Sequence, residues 1–205
     1  MSRPGAFPYY SQWESPELVA EFLDGSLAAE QDPRWAWSGA RTPAEYAFWC
    51  RRVCGLACLK MILAASGLSV PPTMRLVDGA VAHGAYIVDG DQVQGLIYRP
   101  FAQWIGRQYG IAAEVRPDLA LPVLASEAAA GILVIASVHP WIRWPERTPP
   151  ARGGHLVLVS AADGGVLTLN NPSGLPGASQ QGAQLTVAEF ARFFAGRGIV
   201  IRPRN

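Results

Sequence analysis

Charge is scarce in this chain: only 16% of its 205 residues are Asp, Glu, Lys or Arg. The 17 basic and 16 acidic side chains leave a net charge of +1. They form no Lys/Arg run, so the electrostatic footprint of a nucleic-acid binder is missing. Long apolar runs are absent too. ILVIASV at 132–138 falls well short of the ~20 residues of a membrane span. The opening MSRPGAFPYYSQW lacks the apolar core of a secretory signal. The expectation is a cytoplasmic protein whose partners are neither membranes nor nucleic acids. Cysteine is rarer still, with Cys50, Cys54 and Cys58 as the three in the chain. An odd count in a reducing compartment argues against a disulfide framework. The spacing C-x3-C-x3-C is neither the CxxC of zinc sites nor an iron–sulfur spacing, so no metal or cofactor is expected.

What the chain does have is apolar material. Half of its residues are hydrophobic, which supplies a core for one domain and excludes disorder. Ser15-Pro16 reads as a helix start, followed by the stripe Leu18, Val19, Phe22 and Leu23 up to Gly25. Residues 24–41 read as a polar surface loop bearing Trp35 and Trp37. Thr42-Pro43-Ala44-Glu45 has the form of a capping box, and a helical pattern runs from there to Gly67. Shorter helices are expected over 72–82, 99–109 and 121–130. The second half turns to strands: ILVIASV, HLVLVSA, VLTLN and GIVIR. A last helix is expected from Thr186, burying Phe190, Phe193 and Phe194. Helices first and an antiparallel sheet afterwards make the class α+β.

The chemistry concentrates around Trp49-Cys50-Arg51-Arg52-Val53-Cys54-Gly55-Leu56-Ala57-Cys58. A thiolate is the reactive form of cysteine, and a helix N-terminus or a nearby cation favours it. Cys54 suits that place, with Gly55 allowing a substrate carbonyl to approach the backbone. The plain alternative is core packing, since free cysteine is among the most buried residue types. An unbroken helix over 43–66 would leave Cys54 in its middle. The nucleophile reading therefore requires a break within 49–53.

Three histidines compete to be its base. His83 sits at a helix end, where a cation is favoured and the role is structural. His139, before Pro140, is a rival. His155 follows Gly153-Gly154 and opens a strand that a two-residue turn at Asp163-Gly164 sends back into VLTLNNP. That turn pairs His155 with about residue 172, and one step of register brings Asn170 or Asn171 to the imidazole. An amide oxygen accepting from Nδ1–H would leave Nε2 for the thiol. The backbone N–H of Cys54 and the side chain of Gln12 are candidate oxyanion donors.

Tyr-Tyr-Ser-Gln near the start, Cys-Gly-x-Ala-Cys-Leu-x-Met, Gly-Gly-His-Leu-Val-Leu-Val and Asn-Asn-Pro-Ser-Gly together resemble the bacteriocin-processing (double-glycine leader) cysteine peptidases, most of all their stand-alone relatives. The resemblance implies a papain-like fold with Cys54 as nucleophile, His155 as general base, Asn171 as orienting residue and Gln12 in the oxyanion hole. Two departures stand out. The residue before Pro172 is Asn171, where those peptidases usually have Asp, and some forty residues separate Gln12 from Cys54. The second implies an insertion at roughly 14–45.

Three functions follow. The first is a peptidase or amidase that passes through a thioester on a peptide or small amide substrate. The second is an acyltransferase or cyclase with the same Cys/His/Asn site, favoured if Trp35, Trp37, Trp141 and Trp144 wall the site against water. The third is an inactive peptide-binding module.

Overall fold

The computed structural model describes residues 7–202, so the first six residues of the N-terminal stretch read above lie outside it. Pro16–Leu18 forms a 3-10 turn leading into helix α1 (Val19–Asp24), which Gly25 closes in the left-handed region at φ 83°. Ser15 does not cap this helix. Its hydroxyl instead donates to Asp32 at 2.6 Å, and Asp32 also accepts from the Arg34 N–H and from Tyr46. Residues 24–41 are thus not a loose surface loop. The fully buried Asp32 knots them to the first two helices, with two 3-10 turns between.

Helix α2 (Pro43–Cys50) starts as its sequence predicts, the Thr42 hydroxyl accepting from the Glu45 N–H at 3.1 Å. Only half of the capping box forms, because the Glu45 carboxylate turns to Arg41 instead. The helical pattern then breaks at Arg51, Arg52 and Val53, and α3 (Cys54–Ala65) begins at Cys54 itself. Helix α4 (Thr73–Ala82) is followed by a hairpin of β1 (Tyr86–Asp89) and β2 (Gln92–Gly95). Asp89-Gly90 between Ile87-Val88 and Val93 is the sequence signal for this hairpin, which is not among the expected elements. Helix α5 (Tyr98–Tyr109), strand β3 (Ala112–Arg116) and helix α6 (Leu121–Ala129) come next.

The remaining strands are β4 (Leu133–Val138), β5 (His155–Asp163), β6 (Val166–Asn170), β7 (Ala183–Thr186) and β8 (Phe194–Arg202). Helix α7 (Val187–Ala191) ends earlier than the three phenylalanines suggest. Phe193 lies beyond it and Phe194 opens β8, though all three are buried. The sheet is antiparallel throughout, in the order β3-β8-β4-β5-β6-β7. The last strand of the chain therefore lies inside the sheet, and β3, from the helical half, takes one edge.

Helices cover both faces. Leu59, Ile62, Ile105 and their neighbours pack on Ile135, Leu156, Leu158 and Ile199. Leu124, Phe190 and Phe193 pack with Val134, Val157, Val159 and Val200. Burial on both sides explains why β4 and β5 read as continuous apolar runs rather than alternating ones. A third, smaller cluster joins Trp13, Phe22, Tyr46 and Cys50 at the N-terminal end. No helix among the described residues is long and apolar enough to cross a membrane.

Candidate active site

Cys54 is the first residue of α3, so its N–H belongs to the helix end whose amides have no partner within the helix. Its neighbours in the cluster differ. Cys50 and Cys58 are 1% and 0% exposed, against the half-buried Cys54. Burial drives the Cys50 thiol up to about 12 and Cys58 well above its ordinary value. Burial also raises Cys54. Backbone N–H groups of Leu156, Gly55 and Cys54 itself oppose that rise, as does the Arg143 charge. Gly55 has a packing reason to be glycine. A Cβ there would stand 2.7 Å from Leu96 Cδ2 and 3.0 Å from Leu156 Cδ1. The missing side chain seats α3 against those two leucines.

Cys54 and His155 share the lining of one open cleft of about 500 Å³. Tyr86, Leu96 and Tyr98 form part of its wall. None of Trp35, Trp37, Trp141 and Trp144 is among the lining residues, so the dry aromatic wall that would favour acyl transfer is not found there. Gly153 and Gly154 carry the chain into His155 with φ of 87° and 92°, a left-handed pair that only glycine adopts without strain.

The hairpin that carries His155 does not turn where expected. Asp163 pairs with Val166 around Gly164-Gly165, and a register shift at Ser160 leaves Leu158 opposite Asn170. Carried three residues further, that register puts Ser173 opposite His155. Asn170 is occupied elsewhere, donating to Ser160 at 3.3 Å and accepting from the Gly182 N–H at 3.0 Å. Asn171 reaches the imidazole, with Oδ1 2.8 Å from Nε2.

The Ser173 N–H donates to Asn171 Oδ1 at 3.0 Å, which fixes the amide with its oxygen toward the histidine. Oδ1 only accepts, so Nε2 carries the hydrogen and Nδ1 the lone pair. This reverses the nitrogen assignment drawn from sequence.

Two residues that sequence reasoning missed complete the network. Ser173 Oγ lies 3.0 Å from His155 Nε2 and accepts from Arg143 at 2.7 Å. Arg143 is 8% exposed, in the 3-10 turn Pro140–Arg143. No carboxylate pairs with it among the described residues. Burial lowers its own value to about 10. Burial first, and the Arg143 charge second, hold the 6%-exposed His155 down to about 3 against the Asn171 hydrogen bond. Nothing in the local sequence PWIRW signals this; Arg143 becomes visible only when β5 and the 171–173 turn close on it.

The rival histidines are occupied. His139 Nδ1 accepts from the Trp141 N–H at 3.1 Å. His83 Nδ1 lies 2.8 Å from the Gly79 carbonyl at the end of α4. Gln12 is 6% exposed. Its N–H donates to the Pro172 carbonyl at 2.9 Å, next to Tyr9 O–H donating to the Asn171 carbonyl. Two residues on, Glu14 engages Thr73 and the buried Lys60 of α3. The segment is thereby stretched between α3 and the 171–172 turn. The Gln12 Oε1 atom is buried without a hydrogen-bond partner.

No family model matches this chain, and no curated protein does. Solved structures do. A C39-like peptidase from Bacillus anthracis matches over 75% of this chain and 90% of its own, at 14% identity and a TM-score of 0.53. The peptidase domain of Streptococcus ComA, a bi-functional ABC transporter involved in a quorum-sensing pathway, matches over 75% and 93%, at 14% identity and 0.51. A double glycine motif protease from an AMS/PCAT transporter, in complex with the leader peptide, matches over 74% and 84%, at 22% identity and 0.48. At such identities the likeness concerns the fold: the chain has the architecture of C39 papain-like peptidase domains.

Proposed function

We propose that this protein is a cysteine-nucleophile peptidase acting on a peptide or small amide. One observation carries the reading. The His155 Nε2–Asn171 Oδ1 hydrogen bond leaves Nδ1 as the unprotonated nitrogen of a ring that lines the same cleft as the helix-start thiol of Cys54. The resting site is a neutral thiol and a neutral imidazole, because burial disfavours both charged forms. Nδ1 takes the thiol proton as sulfur attacks the carbonyl carbon. The oxyanion is held by the Cys54 N–H and the Gln12 amide. The imidazolium passes its proton to the leaving amine, whose C–N bond breaks to leave a thioester. Water, deprotonated by His155, adds to the thioester; the carboxylic acid departs and the proton returns to sulfur. Asn171 is uncharged, so it orients the ring and offers the imidazolium a dipole rather than a counter-charge.

The test is substoichiometric alkylation followed by peptide mapping, alongside turnover of a quenched-fluorophore peptide library. Cys54 takes the label first, and Cys54→Ala abolishes cleavage. Preferential labelling of Cys50 or Cys58, or cleavage that persists in Cys54→Ala, overturns the assignment.

A further inference from the structure

The cleft is basic out of proportion to the chain. Arg51, Arg52 and Arg197 line it together with Cys54 and His155, and no Asp or Glu is among its lining residues. Yet the chain as a whole carries a net charge of only +1. The three arginines also come from separate parts of the fold. Arg51 and Arg52 lie in the break between α2 and α3, immediately before Cys54. Arg197 projects from β8 over the glycine turn that leads to His155, where a Cβ on Gly153 would stand 3.0 Å from its Nη2.

These guanidinium groups are largely unspent. None of the three belongs to an ion pair among the described residues. Arg51 gives one donor to the Phe22 carbonyl at 2.8 Å. Arg52 lies over the Phe48 ring, 4.3 Å from its centroid, with one donor on the Phe48 carbonyl. Each guanidinium has five N–H donors in a fork that fits a carboxylate. Packing therefore holds Arg51 and Arg52, both lining the cleft, with most of their donors outside any hydrogen bond among the described residues. Like charges so placed repel one another, and an anionic occupant relieves that repulsion.

From this arrangement we infer that the substrate is an acidic peptide, with a carboxylate close to the scissile bond seated between Arg51/Arg52 on the cysteine wall and Arg197 on the histidine wall. The inference rests on the peptidase reading above and names its substrate class. A carboxylate reaches such a site either as an Asp or Glu side chain or as the free C-terminus of the peptide. Both use the same fork-to-carboxylate hydrogen bonds.

The experiment uses the full chain and matched peptide pairs: Glu against Gln at each position flanking the cleaved bond, and free-acid against amidated C-termini. The acidic member of one pair series is expected to show a kcat/KM about tenfold higher, as a charge-assisted hydrogen bond warrants. The series that shows it identifies the source of the carboxylate. Added salt shrinks that ratio, since the arginines are partly solvated. Arg197→Gln brings the ratio toward one, and Arg197→Glu shifts the preference toward peptides with Lys at the same position. Equal rates within every pair, or a ratio unaltered in both Arg197 variants, overturns the inference and leaves the peptidase reading intact. If no peptide is cleaved, the peptidase reading falls, and binding of the same pairs to Cys54→Ala protein by calorimetry decides the inference alone. Binding about tenfold tighter for the acidic member then supports it, and equal or undetectable binding refutes it.

Discussion

Arg143 donates to the Ser173 hydroxyl at 2.7 Å, and that hydroxyl stands 3.0 Å from Nε2 of His155. A buried cation thus sits one hydroxyl away from the imidazole. It acts in opposite senses on two groups of the cleft, favouring a thiolate at Cys54 and disfavouring an imidazolium at His155. In the proposed mechanism Arg143 and Ser173 are positioning residues that bias the proton balance of Cys54 and His155 without being the acid or base.

Arg143→Gln keeps a donor for Ser173 and removes the charge. The His155 titration should then move up from about 3 toward its ordinary 6.5. The Cys54 thiol should rise further, slowing its alkylation at a fixed pH near neutrality. NMR titration of the His155 ring checks the first shift and alkylation kinetics the second. An unmoved His155 would remove Arg143 as a cause.

The pH dependence of Cys54 labelling separates a neutral pair from an ion pair. With the thiol raised above its ordinary 9.0 and His155 held low, alkylation should climb steadily through the alkaline range. A rate plateau already present near pH 5 would mean a thiolate–imidazolium pair and contradict a neutral resting state.

His155 also links stability to pH. Between about 3 and 6.5 the unfolded chain binds a proton at this residue that the folded chain does not. Stability from this group is therefore fully present above 6.5 and declines as pH falls through that window. Urea midpoints measured across it should drop toward acid, and His155→Gln should flatten the slope. A variant as steep as the parent assigns the effect to other groups.

Replacing Asn171 with Ala removes the partner that holds the imidazole hydrogen on Nε2. The expected loss is about 1.5–3 kcal/mol of transition-state stabilisation, a ten- to hundredfold fall in kcat/KM, with His155→Ala costing far more. Equal losses for the two would mean that Asn171 does more than orient the ring.

Gln12→Ala tests the oxyanion donor. Its backbone hydrogen bond to Pro172 does not involve the side chain, so the fold and Cys54 labelling should persist. The loss should fall on kcat by about 2.7–4 kcal/mol, a hundred- to thousandfold. A change confined to KM would point to ground-state binding instead.

Some of this was legible in the order of residues alone. The break before Cys54 was required by the nucleophile reading, and the helix start at Thr42-Pro43 follows from chemistry between near neighbours. So do the long apolar strands and the left-handed entry to His155. Local sterics, capping and burial act over a few residues, and a sequence displays them directly. Several finer features were not legible. A one-residue shift at Ser160 decides which residues stand opposite His155, and such a bulge leaves no fixed mark in sequence. Whether Nε2 or Nδ1 faces the amide depends on the Ser173 N–H pinning Asn171, a contact the 171–173 turn makes only once it has closed. Arg143 and Arg197 look like ordinary arginines until β5, β8 and the Pro140–Arg143 turn are brought together. Their charges act through space across the fold, so tertiary structure alone decided that one would stand a hydroxyl away from His155 and the other would line the cleft.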